Sequence, residues 1–222
     1  MIKYILPAFL LISFAACQSG AEKKQPENNA APTTASSAVP KKNIVFFGNS
    51  LTAAYQLSPE QGFPALIQRK IDSLGLAYTC VNAGLSGETT ADGKNRVDWV
   101  LQQPIDIFIL ELGGNDALRG LPVTASKENL QAIIDQVKAK YPSCKIVLAG
   151  MKAPPNLGEK YTLPFEQMYV DLAKKNQTAL IPFLLENVGG IRSLNLEDGI
   201  HPNPEGQKIV AANIWRILKP LI

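Results

Sequence analysis

From residue 43 onward the chain carries five short runs dominated by Ile, Val, Leu, Phe and Ala: Asn43–Phe47, Ala77–Val81, Ile105–Leu112, Lys145–Ala149 and Thr178–Phe183. Each is nearly continuous in apolar side chains rather than alternating, which is the pattern of strands buried on both faces, as in a parallel sheet. Helical periodicity fills the intervals. Leu130, Ile133, Ile134 and Val137 recur at helical spacing, with Thr124 or Ser126 as the candidate N-cap and Lys140-Tyr141-Pro142 as the stop. A second helix is expected over Phe63–Leu74, ended by Gly75. The last opens at Asn203-Pro204, with Asn at N-cap and Pro at N1, and buries Val210, Ile214, Ile217 and Leu218. Strand–helix alternation predicts an α/β domain: a parallel sheet with right-handed crossovers and helices on both faces.

The first 42 residues follow another pattern. Lys3 precedes an apolar run from Tyr4 to Phe14 and then Ala15-Ala16-Cys17. This is the layout of a secretory signal and is too short for a spanning helix of roughly 20 residues. The small-small-Cys ending resembles the bacterial lipoprotein signal, which implies that residues 1–17 end in a lipidated Cys17 that becomes the new N-terminus. Phe14 stands where Leu is usual, and cleavage beside Ala15 or Ala16 without a lipid is the alternative. Residues 18–42 are mostly Ala, Pro, Thr, Ser, Asn, Glu and Lys, with Val39 the only sizeable aliphatic side chain. Such a segment buries too little apolar surface to offset its ordering entropy, so it is expected to be a disordered tether. Residues 43–222 form the domain.

A signal and an anchor place the protein in the bacterial cell envelope, as a secreted lipoprotein on the periplasmic side or at the outer membrane. Gln18 after the cysteine, in place of an acidic residue, points toward the outer membrane. The net charge of +3 comes entirely from the leader and tether, where five lysines face two glutamates; residues 43–222 are neutral overall. The chain therefore offers no charge argument for a nucleic-acid partner.

In parallel α/β sheets ligands bind beyond the carboxyl ends of the strands. Three of the loops expected there are polar and glycine-rich: Gly48-Asn49-Ser50-Leu51-Thr52, Asn82-Ala83-Gly84-Leu85-Ser86-Gly87 and Gly113-Gly114-Asn115-Asp116. Singly each reads as a turn; three on one edge read as a site. The fourth piece is Asp198-Gly199-Ile200-His201-Pro202-Asn203, holding the only histidine of the chain. A carboxylate three residues before a histidine can fold back onto Nδ1, fix the tautomer and leave Nε2 facing a nucleophile.

These four blocks, in this order, resemble those of the SGNH or GDSL-type hydrolase superfamily, across roughly residues 43–220. Leu110-Glu111-Leu112, Leu118-Arg119-Gly120 and Tyr161-Thr162 with Phe165 make the bacterial thioesterase, arylesterase and lysophospholipase branch the most similar. The resemblance implies a three-layer α/β/α sandwich on a flavodoxin-like five-stranded parallel sheet of order 2-1-3-4-5. It implies Ser50 as nucleophile, His201 as general base and Asp198 as its orienting acid. Ser50 N–H, Gly84 N–H and the Asn115 side chain would form the oxyanion hole. The substrate implied is a small acyl ester or thioester, and no metal or cofactor is implied. A carbohydrate O-acetyl esterase of the same fold is the rival activity, and a non-catalytic ligand-binding lipoprotein the rival class.

One position departs from the family pattern. Asn49 stands where Asp usually precedes the nucleophile, offering a neutral amide in place of a carboxylate; the local turn is expected to survive. Ser86 is expected to be a loop serine, since no Gly-x-Ser-x-Gly elbow exists. Glu111 and Asp116 are expected to position the Asn115 loop, and Trp99, with Val97 and Val100, to pack against the core. Lys152–Tyr161 either borders the substrate or is plain surface. With strand order 2-1-3-4-5, Cys80 and Cys144 fall about 14 Å apart. That exceeds the roughly 7 Å that a disulfide spans, so two free thiols are expected.

Overall fold

The computed structural model describes residues 40–222. The signal segment, Cys17 and the tether up to Val39 lie outside the described residues. Five strands form one sheet: β1 (Lys42–Gly48), β2 (Tyr78–Gly84), β3 (Ile107–Glu111), β4 (Lys145–Ala149) and β5 (Ala179–Ile181). Their order is β2-β1-β3-β4-β5 and every pairing is parallel. Seven helices complete the domain: α1 (Ser50–Ala53), α2 (Phe63–Ser73), α3 (Thr90–Val100), α4 (Gly114–Leu118), α5 (Val123–Lys140), α6 (Glu159–Asn176) and α7 (Pro204–Leu218).

The central strand shows why both faces are covered. Ile44, Val45, Phe46 and Phe47 are all buried, and successive side chains leave opposite faces. Phe46 meets Phe63 of α2 edge-on at 5.8 Å. On the other side, Gly93 of α3 sits so close to Phe47, Leu112 and Ile133 that a Cβ would collide with Leu112. Thus α2 and α7 form one outer layer, joined where Phe63 N–H donates to Gln207 Oε1 (3.0 Å); α3, α5 and α6 form the other.

Several boundaries differ from the sequence expectation, each for a visible reason. Lys42 belongs to β1, because its N–H donates to Ala77 O (2.9 Å) and it pairs with Tyr78. β2 runs on to Gly84, which pairs with Gly48, so Asn82–Gly84 are strand and not loop. α5 starts at Val123 with Pro122 at its cap. Neither Thr124 nor Ser126 caps it: the buried Ser126 hydroxyl donates to Asp116 Oδ1 (3.0 Å). Trp99 does not pack in the core; it is 75% exposed, while Val97 and Val100 are buried. Its neighbours take the helix face that meets the sheet, and one residue's rotation carries Trp99 off it. Cys80, in β2, and Cys144, immediately before β4, are separate free thiols, with β1 and β3 between those two strands.

Candidate active site

The site is built on the turn between β1 and α1. Ser50 is the first residue of α1, and Asn49 caps that helix, its Oδ1 accepting from Leu51 N–H (3.0 Å). A neutral amide therefore serves the turn, which keeps its form without an aspartate at this position. Beneath it lies Glu111, the last residue of β3. Its Oε2 accepts from Asn49 N–H (3.1 Å) and from the Thr52 hydroxyl (2.8 Å). A Cβ on Gly48 would collide with Thr52 Oγ1 and this carboxylate, so the close approach requires glycine. Glu111 Oε1 is buried without a hydrogen-bond partner among the described residues. Burial pushes the Glu111 carboxyl up to about 7, against the opposing effect of the Thr52 and Asn49 hydrogen bonds. The sequence reading attached Glu111 to the Asn115 loop; its side chain bonds instead to the turn that carries Ser50.

His201 reaches that turn from the other end of the chain. Its Nε2 lies 2.8 Å from Ser50 Oγ and its Nδ1 2.7 Å from Asp198 Oδ2. Asp198 Oδ1 accepts from the N–H groups of Ile200 (2.8 Å) and His201 (3.0 Å), closing the loop on itself. Partial burial raises the Asp198 carboxyl, but the backbone N–H groups of His201 and Ile200 and the His201 ring outweigh it and bring it down to about 2. The loop is tied to the preceding segment by Leu196 N–H on His201 O (2.8 Å) and Asn203 N–H on Leu194 O (2.9 Å). Asn203 then caps α7, accepting from Glu205 and Gly206 N–H.

Of the three donors expected around Ser50, two belong to residues that line one cleft. Ser50 N–H is one of the donors that a helix's first turn leaves without an intrahelical partner. Asn115, in α4, lines the same cleft as Ser50 and gives Nδ2 to Glu88 O (2.8 Å), which orients the amide and leaves its second hydrogen. The buried Asp116 beside it accepts from Thr90 N–H, Thr90 Oγ1 and Ser126 Oγ, locking α4 to α3 and α5. Gly84 is not the third donor. Its N–H donates to Asn82 Oδ1 (2.9 Å), and its Cα packs against the Thr52–Ala53 backbone, away from the cleft lining. The extension of β2 is the reason: the loop proper begins after Gly84. Gly87, at φ 87°, lines the cleft, and its N–H makes no hydrogen bond among the described residues. The Ser86-Gly87 pair, a turn signature, is the signal in the sequence that marks this position.

The cleft above Ser50 has a volume of about 1070 Å³. Leu51, Tyr55, Leu118, Met151, Leu185 and Ile200 line it, together with the Lys152–Pro155 segment, Gly158 and Glu159. The segment after β4 therefore borders the site. Ser86 also lines the cleft, but the single imidazole of the chain faces Ser50.

A parallel α/β sandwich whose strand-end loops bring a serine, an imidazole and a carboxylate into hydrogen-bonded series belongs to the class of α/β serine hydrolases. Comparison with known proteins makes the class specific. Residues 46–209 match the model of the GDSL-like lipase/acylhydrolase family, and the chain belongs to that family. It is 37% identical over 182 residues to esterase TesA of Pseudomonas aeruginosa, covering 82% of this chain and 90% of the relative. It is 34% identical over 180 residues to thioesterase 1/protease 1/lysophospholipase L1 of Escherichia coli, covering 81% of this chain and 84% of that one. A crystal structure of TesA matches with a TM-score of 0.78 at 37% identity, over 82% of this chain and 100% of the other. The chain is thus a serine ester hydrolase of the SGNH type.

Proposed function

We propose that Ser50, His201 and Asp198 carry out ester and thioester hydrolysis through an acyl-enzyme on Ser50, with Ser50 N–H, Gly87 N–H and Asn115 Nδ2 receiving the oxyanion. The observation that carries this reading is the unbroken series Ser50 Oγ–His201 Nε2 (2.8 Å) and His201 Nδ1–Asp198 Oδ2 (2.7 Å). Serine at its free pKa is a poor nucleophile, so His201 Nε2 takes the hydroxyl proton as Oγ bonds to the acyl carbon. The carbonyl π electrons move to oxygen, where preorganised donors meet the charge. The tetrahedral intermediate collapses as Nε2–H protonates the leaving alkoxide or thiolate. Water then attacks the acyl-enzyme, gives its proton to Nε2, and Ser50 leaves with that proton restored. Asp198 keeps Nδ1 as the donor throughout and so keeps Nε2 free to accept.

The walls of the cleft support a medium or long acyl chain, because side chains such as Leu51, Leu118, Met151, Leu185 and Ile200 offer it apolar contact. The names of the relatives, esterase and thioesterase/lysophospholipase, support the same substrate class. The test is a series of p-nitrophenyl esters from acetyl to palmitoyl, with a lysophospholipid and an acyl-CoA alongside. A rise in kcat/KM from acetyl to octanoyl is expected; a collapse beyond acetyl would overturn the reading in favour of deacetylation.

The Ala15-Ala16-Cys17 ending and the polar segment after it support a lipoprotein held in the cell envelope through Cys17. Cys17→Ala should move the protein from the membrane fraction to the soluble one; an unchanged distribution would defeat the anchor.

A further inference from the structure

Tyr55 touches both the nucleophile and the base. Its N–H donates to Ser50 O (3.0 Å). Its ring lies against the imidazole of His201, with centroids 4.6 Å apart and planes inclined by 39°. The chain on either side is left-handed, with φ 58° at both Ala54 and Gln56. Side chains with a Cβ seldom adopt that conformation, and it persists where surroundings over-determine it, characteristically at functional sites. Here Ala54 is buried against Gly62, where an added Cβ would come within 2.7 Å of the Ala54 methyl. The strained turn thus presents Tyr55 at one place. Its hydroxyl makes no hydrogen bond among the described residues, and the residue is 39% exposed at the wall of the cleft.

Resting on the triad reading above, we propose that Tyr55 is a positioning residue for His201. Its ring backs the imidazole so that Nε2 stays on Ser50 Oγ, and its π face stabilises the imidazolium that forms when Ser50 gives up its proton. Both effects arise from the ring and neither from the hydroxyl. Attraction between an aromatic face and a cation at a half-exposed site is modest, so loss of the ring should slow the chemical step by about 5- to 10-fold, without a comparable change in substrate affinity. A tyrosine that served only as a wall for the acyl group would instead raise KM.

The protein allows a direct test, because its single histidine makes the imidazole proton resonances unambiguous. Wild type, Tyr55→Phe and Tyr55→Leu are compared by proton NMR of His201 and by kcat and KM on p-nitrophenyl acetate. Tyr55→Phe should keep kcat within about twofold and retain the ring-current shift of the His201 protons. Tyr55→Leu should lose about 5- to 10-fold in kcat at near-constant KM, and its His201 resonances should move toward their free-histidine positions. Should the leucine variant not fold, Tyr55→Met fills the space without a π face and carries the same expectation. Unchanged kcat and resonances in the non-aromatic variant, or a rise in KM alone, would overturn the proposal. Reaction of wild-type Ser50 with a fluorophosphonate separates the two readings: its absence defeats the triad, whereas its presence beside an indifferent Tyr55→Leu defeats Tyr55 alone.

Discussion

Replacing Asp198 by asparagine tests the orientation of the base without emptying its place. The carboxylate has two jobs on separate oxygens: Oδ1 accepts from the Ile200 and His201 N–H groups, and Oδ2 faces His201 Nδ1 at 2.7 Å. In Asp198→Asn the amide carbonyl can keep the first. The amide nitrogen then faces Nδ1, which must become an acceptor, and the imidazole proton moves to Nε2, opposite Ser50 Oγ. In that tautomer Nε2 cannot take the serine proton. Where the aspartate of such a triad is fully buried, the same exchange costs ~10⁴ in kcat. Here the Asp198 side chain is 32% exposed, so water moderates the loss of charge. A fall of roughly 10²- to 10³-fold is expected, or about 3–4 kcal/mol of transition-state stabilisation. Because Asp198 is held down at about 2, the wild-type carboxylate is ionised throughout the neutral range, and the comparison is clean near pH 8. The assay is kcat/KM on p-nitrophenyl butyrate, with thermal melting as the control for folding. A loss below tenfold in a folded variant would refute the orienting role.

Asn115→Ala removes one of the proposed oxyanion donors and should lower kcat by roughly 10²- to 10³-fold with little change in KM, measured on the same ester; a tenfold rise in KM at constant kcat would reject the role. Glu111 titrates at about 7 in the fold against 4.5 outside it, so the fold favours its protonated form. That contribution is present in full below pH 4.5 and is lost as pH rises through 7, about 3 kcal/mol in all. Urea denaturation of wild type and Glu111→Gln should therefore show the variant gaining relative stability between about pH 4.5 and 8; a constant difference would contradict the burial of this carboxyl. Burial pushes both Cys80 and Cys144 up to about 12. A thiol reagent should find both inert in the native domain and two equivalents after denaturation without reductant, whereas zero equivalents would mean a disulfide.

The layers and the strand order followed from the sequence in different ways. Unbroken apolar runs such as Ile44–Phe47 declare strands covered on both faces, and caps such as Asn203-Pro204 mark where a helix starts. The order of the strands came from the family resemblance, since periodicity says nothing of neighbours. Ser50, Asp198 and His201 were legible because chemistry restricts them to few residue types and the chain has one histidine. Three features were not. Gly84 was mistaken for a loop residue because an Asn-Ala-Gly run has no strand propensity, yet pairing with Gly48 carries β2 to that point. Glu111 ends an apolar strand, and only the register that sets it beside Gly48 reveals that it supports the turn carrying Ser50. Tyr55 owes its place to a left-handed turn at alanine and glutamine, which no propensity forecasts.

The central claim is that Ser50 Oγ is the atom that takes the acyl group, activated by His201. Its most direct measurement is intact-mass and peptide mass spectrometry after reaction with a fluorophosphonate. The account predicts one equivalent of phosphonyl group, on Ser50, in the wild type and none in Ser50→Ala or His201→Ala. A label on Ser86 or elsewhere, or equal labelling of the wild type and His201→Ala, would contradict it.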